Sequence, residues 1–414
     1  MKTSPSFTLI ELLIVIGIIS ILTTVTVLAI NPAEFFKEAR DTKRIQHVRE
    51  LSEAINLASL SNSLDKDGSY TNSCIGQSNP RIFVSVPSDN GETAPTAPSG
   101  WTIVRAATTE NLNQTDGTGW LPIDFDTAAN AIGSSLISAL PIDQTNTFAS
   151  GLYYTYICGS HEVTAALESI RKGALHLTDK GDDPDSFEVG NNLANGGTRG
   201  IIHYWSLDDG AGTFSKDWTG NANGTLTNMN PASDWTQGKL DGALNFDGSD
   251  DHISVPSSGV YDFGSQLTVC IWTHVNTLGN TGSFVNKADG VVPYTKLEFN
   301  FNLETDGRVR FWISGNGINA FNFAFSADPI STNTWHHACG VYTGTTIQVF
   351  VDGVAGNSVA ETSGNIYRGT EPLRIGRANF IGDGLDGDID DVRIYSRSLS
   401  AAEIQRIYNL TKTE

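Results

Sequence analysis

The sequence predicts a multidomain protein with a long N-terminal α-helix, a small α+β domain and a C-terminal all-β sandwich. Three observations support this order. An apolar run opens the chain, mixed helix and strand patterns follow it to about residue 185, and short alternating runs continue from Gly200 almost to the end. With 414 residues, the chain is long enough for two or three separate cores.

The first predicted element is a helix that begins in the apolar run from Phe7 to Ile30. Its 24 residues make a helix about 36 Å long, enough to cross a hydrocarbon layer of about 30 Å. After Asn31 and Pro32, apolar residues recur every three or four positions and form one stripe. The stripe consists of Ile45, Val48, Leu51, Ile55 and Ala58. We therefore predict one helix over residues 7–60, with 7–30 in the membrane.

Residues 61–185 predict a small α+β domain. RIFVSV, GWTIVRA and GLYYTYIC have the composition of strands, and HEVTAALES fits a strand or a short helix. The stretch DKGDDPDSFEVGNNLANGGTRG concentrates Asp, Asn and Gly without apolar periodicity, and we predict a linker over residues 186–199. Just before it, Asp182, Asp183 and Asp185 fit either a flexible acidic segment or calcium ligands.

Residues 200–410 predict a β-sandwich or jelly roll. Short alternating runs are separated by Gly, Asp and Asn turns at fairly even spacing, which is typical of these folds. The runs are IIHYWSL, LNFDG, HISVP, LTVCIWTHV, KLEFNFNL, RVRFWIS, WHHACGVYT, TIQVFVDG, LRIGRA and DIDDVRIYS. In the last segment, SLSAAEIQRIYNL, Ser400 and Glu403 have the spacing of a helix capping box.

Charge and cysteine content limit the functions that are compatible with the chain. The net charge is −20, and neither half offers a basic surface for phosphate groups, so we expect no direct nucleic-acid binding. Two cysteines fall in each half: Cys74 and Cys158, then Cys270 and Cys339. They fit one disulfide per domain of an exported protein, or four buried thiols, because no Cys-x-x-Cys spacing decides between the two.

The N-terminal string SFTLIELLIVIGIISIL resembles the class III signal of type IV pilins and pseudopilins. In that family, a prepilin peptidase cuts before the phenylalanine and methylates the new amino terminus. The resemblance implies a leader at residues 1–6 and cleavage between Ser6 and Phe7, although Ser6 stands where the family prefers glycine. It extends more weakly through KEARDTKRIQHVRELSEAINL and SALPIDQTNTFASGLYYTYIC. The alternative is a plain single-pass anchor.

The same resemblance gives a role to Glu11, which is otherwise a costly carboxylate in an apolar run. It becomes the fifth residue of the mature chain, where the family places its glutamate. In a filament, the Phe7 ammonium of one subunit can then neutralise the Glu11 carboxylate of a neighbour. We expect Phe7 and Glu11 to set the axial register of assembly.

The C-terminal half resembles the laminin-G-like, concanavalin A-like jelly roll of exported bacterial proteins. Five blocks carry the resemblance in the family's order: HYWSLDDGAGTFSKDWTGNANGTL, GALNFDGSDDHISV, LTVCIWTHV, TWHHACGVYTGTTIQVFVDG and LDGDIDDVRIYSRSLSAAEI. The resemblance implies two stacked antiparallel sheets, recognition of glycans or proteins, and often a structural calcium ion.

Calcium requires six to eight oxygen ligands. In related jelly rolls the ion often ties the loop after the first strand to the last strand. We therefore expect Asp390, in the last strand, to be a ligand together with Asp208, Asp209 and Asp217 from the early loops. Strand alternation places Asp388 and Asp390 on one face and Asp391 on the other. The alternative is that Asp390 caps a turn or pairs with Arg393.

A catalytic role has little support in the sequence. A retaining glycosidase needs two carboxylates about 5 Å apart, and the pair nearest this spacing, Glu304 and Asp306, lies in a predicted hairpin turn. His336 and His337 point to opposite faces of a strand, so they cannot bind one ion together. Four tryptophans fit the core, namely Trp205, Trp272, Trp312 and Trp335, whereas Tyr261, Tyr294 and Tyr367 are candidates for stacking on a sugar. We predict no enzymatic activity.

Together these observations predict a pilin-like subunit that carries a lectin-like domain outward for adhesion to glycans or proteins. Its partners would be other pilin subunits, the prepilin peptidase and the membrane. We expect a single-pass cytoplasmic membrane protein before assembly and an extracellular pilus or cell-surface location afterwards. The alternatives are a pseudopilin of a type II-like secretion system, a major pilin with a structural jelly roll, or a membrane-anchored enzyme.

Overall fold

A computed structural model describes most of the chain. The described residues are 9–10, 12–18, 32–60, 81–95, 97, 101–132, 136–157, 161–169, 172, 175, 183, 185–190, 200–219, 222–257, 263–289, 295–318, 322–378 and 383–412. The predicted membrane segment 7–30 is therefore described only in part, as helical backbone with exposed side chains. Among the residues described, no helix is both long and apolar enough to span a membrane.

The first domain packs one long helix against a five-stranded sheet, called sheet 1. Its helices are α1 (Pro32–Leu60) and α2 (Phe125–Ile132), and its strands are β1 (Arg81–Val84), β2 (Thr102–Val104), β3 (Tyr154–Ile157), β4 (Glu162–Ala165) and β5 (Phe187–Gly190). The strand order is β2-β1-β3-β4-β5, and only β1 and β2 are parallel. The predicted apolar stripe of α1 is confirmed, because all five of its residues are buried in this core.

The segment predicted as a linker belongs in part to sheet 1. Phe187–Gly190 forms β5 and pairs antiparallel with β4, so residues 187–190 are a strand rather than a linker. Asp183 and Asp185 are also buried, which contradicts a flexible acidic segment at these positions. Local composition misled the prediction, because Glu188 and the glycines gave no apolar periodicity even though the backbone pairs.

The second domain is a sandwich of two eight-stranded sheets. Its strands are β6 (Ile201–Trp205), β7 (Phe214–Ser215), β8 (Gly224–Thr227), β9 (Trp235–Gln237), β10 (Gly242–Asp247), β11 (His252–Val255), β12 (Leu267–Val275), β13 (Gly282–Lys287), β14 (Leu297–Leu303), β15 (Val309–Gly317), β16 (Ala324–Phe325), β17 (Trp335–Tyr342), β18 (Thr346–Val351), β19 (Val354–Ala360), β20 (Leu373–Ile375) and β21 (Asp386–Tyr395). Sheet 2 has the order β19-β18-β17-β12-β21-β10-β9, with β6 paired to β21, and sheet 3 has the order β16-β15-β14-β13-β20-β11-β8-β7. The predicted fold class, a helix and an α+β unit followed by an all-β sandwich, is confirmed.

The apolar core of the sandwich lies between sheets 2 and 3. In β14, Phe299, Phe301 and Leu303 point into this core while the residues between them face outward. The same alternation holds in β20, where Leu373 and Ile375 are core residues. Each sheet therefore has a second face, directed away from the core, and the two outer faces differ.

A C-terminal helix covers the outer face of sheet 2. α3 (Ala401–Thr411) begins with the predicted capping box, in which the Ser400 side chain and the Glu403 side chain each accept a backbone N–H. Its Ile404 and Ile407 form a small core with residues of β6, β12, β17 and β21. One side of the sandwich is thus closed by the chain itself.

The two domains are in direct contact at this covered side. Asp185 of the first domain binds the guanidinium of Arg393 and the hydroxyl of Tyr395, both on β21. Ser400 donates to the carbonyl of Ala149, and Arg406 donates to the carbonyl of Gly151. The Arg393–Asp185 contact is buried, so the sandwich is seated on the first domain rather than joined to it by a linker alone.

Candidate functional site

The predicted calcium ligand Asp217 is fully engaged by protein donors. One of its carboxylate oxygens contacts Nδ1 of His203 at 2.7 Å and the N–H of Ala222 at 2.9 Å. The other accepts the N–H of Tyr204 and both the N–H and the hydroxyl of Thr219. Burial raises the pKa of Asp217, but hydrogen bonding and the charge of His203 outweigh this and leave the pKa lowered. Asp217 therefore ties the second domain's first strand to the following loop and does not fit a metal.

Asp208 and Asp390 meet at one turn, as the predicted site required. The turn joins β9 to β10, where Gly242 donates its N–H to Asp208 at 2.7 Å and Leu240 donates its N–H to Asp390 at 2.8 Å. Asp390 is completely buried, and its Oδ1 has no hydrogen-bond partner among the residues described. Burial first, and then the charge of Asp391, raises its pKa well above the usual range.

The remaining acids near this turn have other roles. Asp209 is exposed and accepts the N–H of Lys216 at 3.1 Å. Arg393 pairs with Asp391, not with Asp390 as the alternative prediction had it. Asp391 has a φ of +53° where the register between β12 and β21 shifts, and it pairs with Arg393 on the outer face, whereas Ile389 points into the main core. The strand alternation predicted for DIDD is therefore wrong beyond Asp390.

Two groups of three ligand-type side chains are compact among the described residues. In each group the ligand atoms lie within 4.8 Å of one another. In the first, Cys270 and Cys339 are bonded to each other as a disulfide beside His337, so they offer no thiolates. The second is Asp247, Asp250 and Asp251, which lie at the end of β10 and in the turn after it and were not predicted as a cluster.

Several sequence-predicted residues lie outside the part of the chain that the structure describes. These are Ser6, Phe7, Glu11, Cys74, Cys158, Asp182, Tyr261 and Tyr294. Processing at Ser6–Phe7 and assembly through Phe7 and Glu11 therefore remain predictions. Of the tyrosine candidates for sugar stacking, Tyr367 is described; it is only partly exposed and lies against Gly317.

The two carboxylates considered for a glycosidase site, Glu304 and Asp306, each form an ion pair with an arginine. Glu304 pairs with Arg310 at 2.7 Å, and Asp306 pairs with Arg308 at 2.7 Å. The Gly307 N–H bonds back to the Glu304 carbonyl, as expected for the predicted hairpin turn. Neither carboxylate is placed as an acid or a nucleophile.

A serine, a histidine and an aspartate form a chain that resembles a hydrolase triad. Nδ1 of His336 contacts Asp352 at 2.7 Å, and Nε2 contacts the Ser331 hydroxyl at 2.8 Å. However, Nε2 also accepts the Ser331 backbone N–H at 3.1 Å. That amide is the group an oxyanion hole would use, and here it is turned to the imidazole. The geometry therefore fits a histidine that holds the turn before β17.

The outer face of sheet 3 carries a row of polar side chains across five strands. The paired positions run from Ser254 on β11 through Arg374, Asn286 and Asn300 to Trp312 on β15. α3 covers the corresponding face of sheet 2, so sheet 3 is the side of the sandwich left to polar residues. We call these five residues the polar row.

The centre of the polar row is buried but not satisfied. Asn286 is 1% exposed, and neither its Nδ2 nor its Oδ1 has a hydrogen-bond partner among the described residues. Nη1 of Arg374 and Oε2 of the neighbouring Glu298 are also buried, and neither atom has a hydrogen-bond partner among the described residues. A buried polar group without a partner costs about 1–3 kcal/mol, so these atoms require hydrogen-bond partners, either ordered water or a ligand.

Charges beside the polar row are partly paired. Lys287 and Glu298 form a buried ion pair, and Glu298 also accepts the N–H of Gly369 at 2.8 Å. Burial raises the pKa of Glu298 to about 7, although the charge of Lys287 opposes this. Arg374 is half-buried, and burial followed by the charge of Arg377 lowers its pKa. The unpartnered end of the row is therefore positive.

Trp312 closes the other end of the row. It is 4% exposed, lies against the ring of Phe323 and has the guanidinium of Arg310 4.2 Å from its ring centre. The prediction placed it in the main core, whereas it belongs to a small cluster on the outer face. Because its face is already covered by Arg310, it is not a free platform for a sugar.

Two cavities lie elsewhere on the described surface. One of about 150 Å³ is at the rim of the sandwich, where Asp247 and Asp386 line it. Asp386 is already bound there by Asn276 and Thr277. The other, of about 430 Å³, lies where the domains meet, beside Phe148 and Arg397.

Two segments match protein-family models. Residues 1–27 match the prokaryotic N-terminal methylation motif, and residues 247–405 match the concanavalin A-like lectin/glucanases superfamily. The chain joins a prepilin-type N-terminus to a concanavalin A-like domain. The predicted resemblance is thus confirmed at both ends. No curated protein matches the sequence.

Solved structures resemble this chain only remotely. Domain 4 of AbnA, an extracellular arabinanase from Geobacillus stearothermophilus, is 20% identical over 50% of this chain and 98% of its own, with a TM-score of 0.40. The binding domain of Paraclostridial Mosquitocidal Protein 1 is 16% identical over 50% of this chain and 52% of its own, with a TM-score of 0.40. Trypanosoma rangeli sialidase is 10% identical over 66% of this chain and 51% of its own, with a TM-score of 0.41. At this similarity we draw no inference about ligands from them.

The polar row was missed at the sequence level, although a signal for it exists. In LEFNFNL, three polar residues alternate with three core residues, which shows that β14 has a polar outer face. The usual interpretation of such a pattern is a solvated face. Only the structure shows that Glu298, Asn300 and Asn302 are buried.

Proposed function

We propose that this chain is a pilin-like filament subunit that presents its concanavalin A-like domain for adhesion to a glycan. The observation that carries the proposal is the joining of the methylation motif to a sandwich with two different outer faces. One face is closed by α3 and the first domain, while the other bears the unsatisfied polar row. A domain anchored through one side can carry a binding site on the other.

The proposal assigns the chain to a minor or tip subunit rather than to a major pilin. The sandwich comprises about half of the chain, and a domain of that size on every subunit would crowd a filament. In this account the prepilin peptidase cuts between Ser6 and Phe7, and Glu11 pairs with the Phe7 ammonium of a neighbouring subunit. The precursor is a membrane protein, and the assembled subunit lies at the cell surface.

Immunogold electron microscopy with antibodies against residues 199–414 tests this assignment. We expect gold on extracellular filaments, concentrated at their ends. Uniform labelling along filaments would instead identify a major pilin with a structural jelly roll. Label confined to the cell envelope would overturn the adhesin proposal in favour of a secretion pseudopilin. A Glu11→Ala variant should abolish filament labelling while the precursor remains in the membrane.

We propose that the domain also holds a structural calcium ion at Asp390 and Asp208. The buried and unpartnered Oδ1 of Asp390 fits a cation, and Asp208 reaches the same turn. Asp217 does not fit, because five protein donors already use its oxygens. The ion would fix the β9–β10 turn against β21.

Thermal unfolding with calcium or with EGTA tests the calcium site. Calcium at 100 times its Kd should stabilise the native state by about 2.7 kcal/mol. The gain should disappear in Asp390→Asn and persist in Asp209→Asn, which changes an exposed acid on the neighbouring loop. A calcium effect that survives in Asp390→Asn, or no effect in the unmodified chain, would contradict this site.

A further inference from the structure

We propose that the polar row binds an acidic glycan, with Arg374 receiving its carboxylate or sulfate and Asn286 binding an adjacent hydroxyl. This inference rests on the proposed function and names the ligand class for it. It concerns the outer face of sheet 3, which is separate from the Asp390 turn and from the cavity at the rim.

The first argument is the position of the two unsatisfied groups. Asn286 on β13 and Arg374 on β20 are directly paired residues of adjacent strands, so their side chains start from neighbouring positions on one face. Asn286 has both amide atoms buried without a partner, and Arg374 has Nη1 buried without a partner, among the residues described. An amide donor, an amide acceptor and a guanidinium donor therefore lie side by side.

The second argument is that nearby carboxylates are already committed. Glu298 binds Lys287, and Glu371 binds Lys296 at 2.6 Å. No ion pair of Arg374 occurs within the described part of the chain. An unpaired, half-buried guanidinium is unusual in a chain of net charge −20, where acids outnumber bases.

Neighbouring groups add positive potential around Arg374. The charges of Arg374 and Arg377 both act on His252, which lies on β11 beside the row. Burial, and then these two arginines, lower the pKa of His252, whereas the backbone carbonyl and the charge of Asp250 act in the opposite direction. A neutral sugar would leave Arg374 without a counter-charge, whereas an anionic sugar would pair with its guanidinium.

The chemistry of the groups narrows the ligand to a sugar with an anionic substituent. Arginine recognises carboxylate or sulfate through two parallel N–H groups. An asparagine amide can donate to one hydroxyl oxygen and accept from another. Because the whole chain is acidic, a polyanion gains nothing from general attraction and must be bound by local contacts.

Calorimetric titration of the full-length chain in detergent tests the inference with three probes. They are an oligogalacturonate, which carries carboxylates, a heparin-derived oligosaccharide, which carries sulfates, and a neutral galactan oligosaccharide. Arg374→Gln is the test variant, and Arg308→Gln is the matched control, because Arg308 lies on the exposed hairpin turn and pairs with Asp306. Unchanged thermal unfolding of both variants confirms that they are folded.

We expect at least one acidic probe to bind the unmodified chain and the Arg308→Gln variant alike. Arg374→Gln should weaken that binding about 10- to 100-fold, as loss of a charged hydrogen bond does. Which acidic probe binds then separates carboxylate from sulfate recognition. Asn286→Ala should weaken the same binding by a smaller factor.

Three results would overturn the inference. If only the neutral probe binds, the glycan-binding function stands and the acidic class is wrong. If an acidic probe binds equally to Arg374→Gln, the ligand does not use the polar row. If none of the probes binds, glycan recognition by this domain fails together with the inference, and a protein ligand takes its place.

Discussion

Arg44 is the point at which α1 is fixed to the rest of the first domain. Its side chain is 2% exposed and lies between Asp41, Asp143 and Glu168. Asp41 also accepts the backbone N–H groups of Glu168 and Ser169. Desolvation alone would lower the pKa of Arg44, but these carboxylates raise it, so the guanidinium is always charged. One charge network therefore holds α1 to the loop that contains Asp143 and to the loop that follows β4.

Replacement of Arg44 by Met should therefore destabilise the first domain by about 3–5 kcal/mol, because it leaves buried carboxylates without a counter-ion. Urea unfolding followed by circular dichroism measures the change. Arg308→Met is the control, since its pair with Asp306 is exposed and should be worth less than about 1 kcal/mol. Equal losses in the two variants would show that burial does not set the strength of these pairs.

Asp251 gives the second domain a pH dependence of definite sign. Burial, followed by the charge of Asp247, raises its pKa to about 6, whereas an unfolded aspartate has a pKa of about 3.9. The native state therefore holds a proton between these values that the unfolded chain has released. The free energy of unfolding contributed by this group is largest below pH 4 and falls as the pH rises through 6.

An Asp251→Asn variant should remove this pH-dependent loss of unfolding free energy. Its melting temperature should exceed that of the unmodified chain at pH 7.5 and match it more closely at pH 4.5. The amide can still accept the Asp247 N–H that the carboxylate accepts at 3.1 Å. Calorimetry in EGTA at both pH values makes the comparison. A difference independent of pH would mean that Asp251 does not titrate in this range.

Among the elements, β12 and β17 are joined both by their ladder and covalently. Cys270 and Cys339 occupy paired positions and form a disulfide that closes a loop of 69 residues. Such a bond limits the conformations of the unfolded chain and typically contributes about 2–4 kcal/mol. The bond lies beneath α3, in the small core on the outer face of sheet 2.

A Cys270→Ala/Cys339→Ala variant should therefore lower the stability of the sandwich by about 2–4 kcal/mol. Tryptophan fluorescence during urea unfolding reports the change, because most of the tryptophans lie in this domain. Superimposable curves for the variant and the oxidised parent would show that the bond adds nothing to equilibrium stability.

For the molecule as a whole, the contact of Asp185 with β21 decides whether the two domains unfold together on heating. Arg393 and Tyr395 are buried and both bind this one carboxylate from the first domain. We expect the two domains to unfold in one coupled calorimetric transition. In Asp185→Asn, which loses the charge, the transition should separate into two.

The matched control for this experiment is Asp306→Asn, whose arginine partner lies on the exposed hairpin turn. It changes the same residue type without touching the domain contact, so the transition should stay single. Two transitions in the unmodified chain would show that the domains unfold independently despite the buried pair.

The local features of this protein were predictable because they depend on neighbouring residues. The α1 stripe, ten strands of the sandwich and the capping box at Ser400 all follow from periodicity or short motifs. Very short or polar strands escaped prediction, including β5, β7, β16 and β19. In these strands pairing with a neighbour replaces apolar alternation as the reason for the structure.

The order of the domains, the two family resemblances and most residues of the main cores follow from the sequence alone. Tertiary structure decided which polar residues are functional candidates. It gave Asp217 five donors, left Asp390 with an unpartnered oxygen, and turned Asp391 away from the core face of Ile389 through a bulge. It also buried Asn286 beside Arg374. Hydrogen bonds and burial arise between residues far apart in the chain, so no local pattern encodes them.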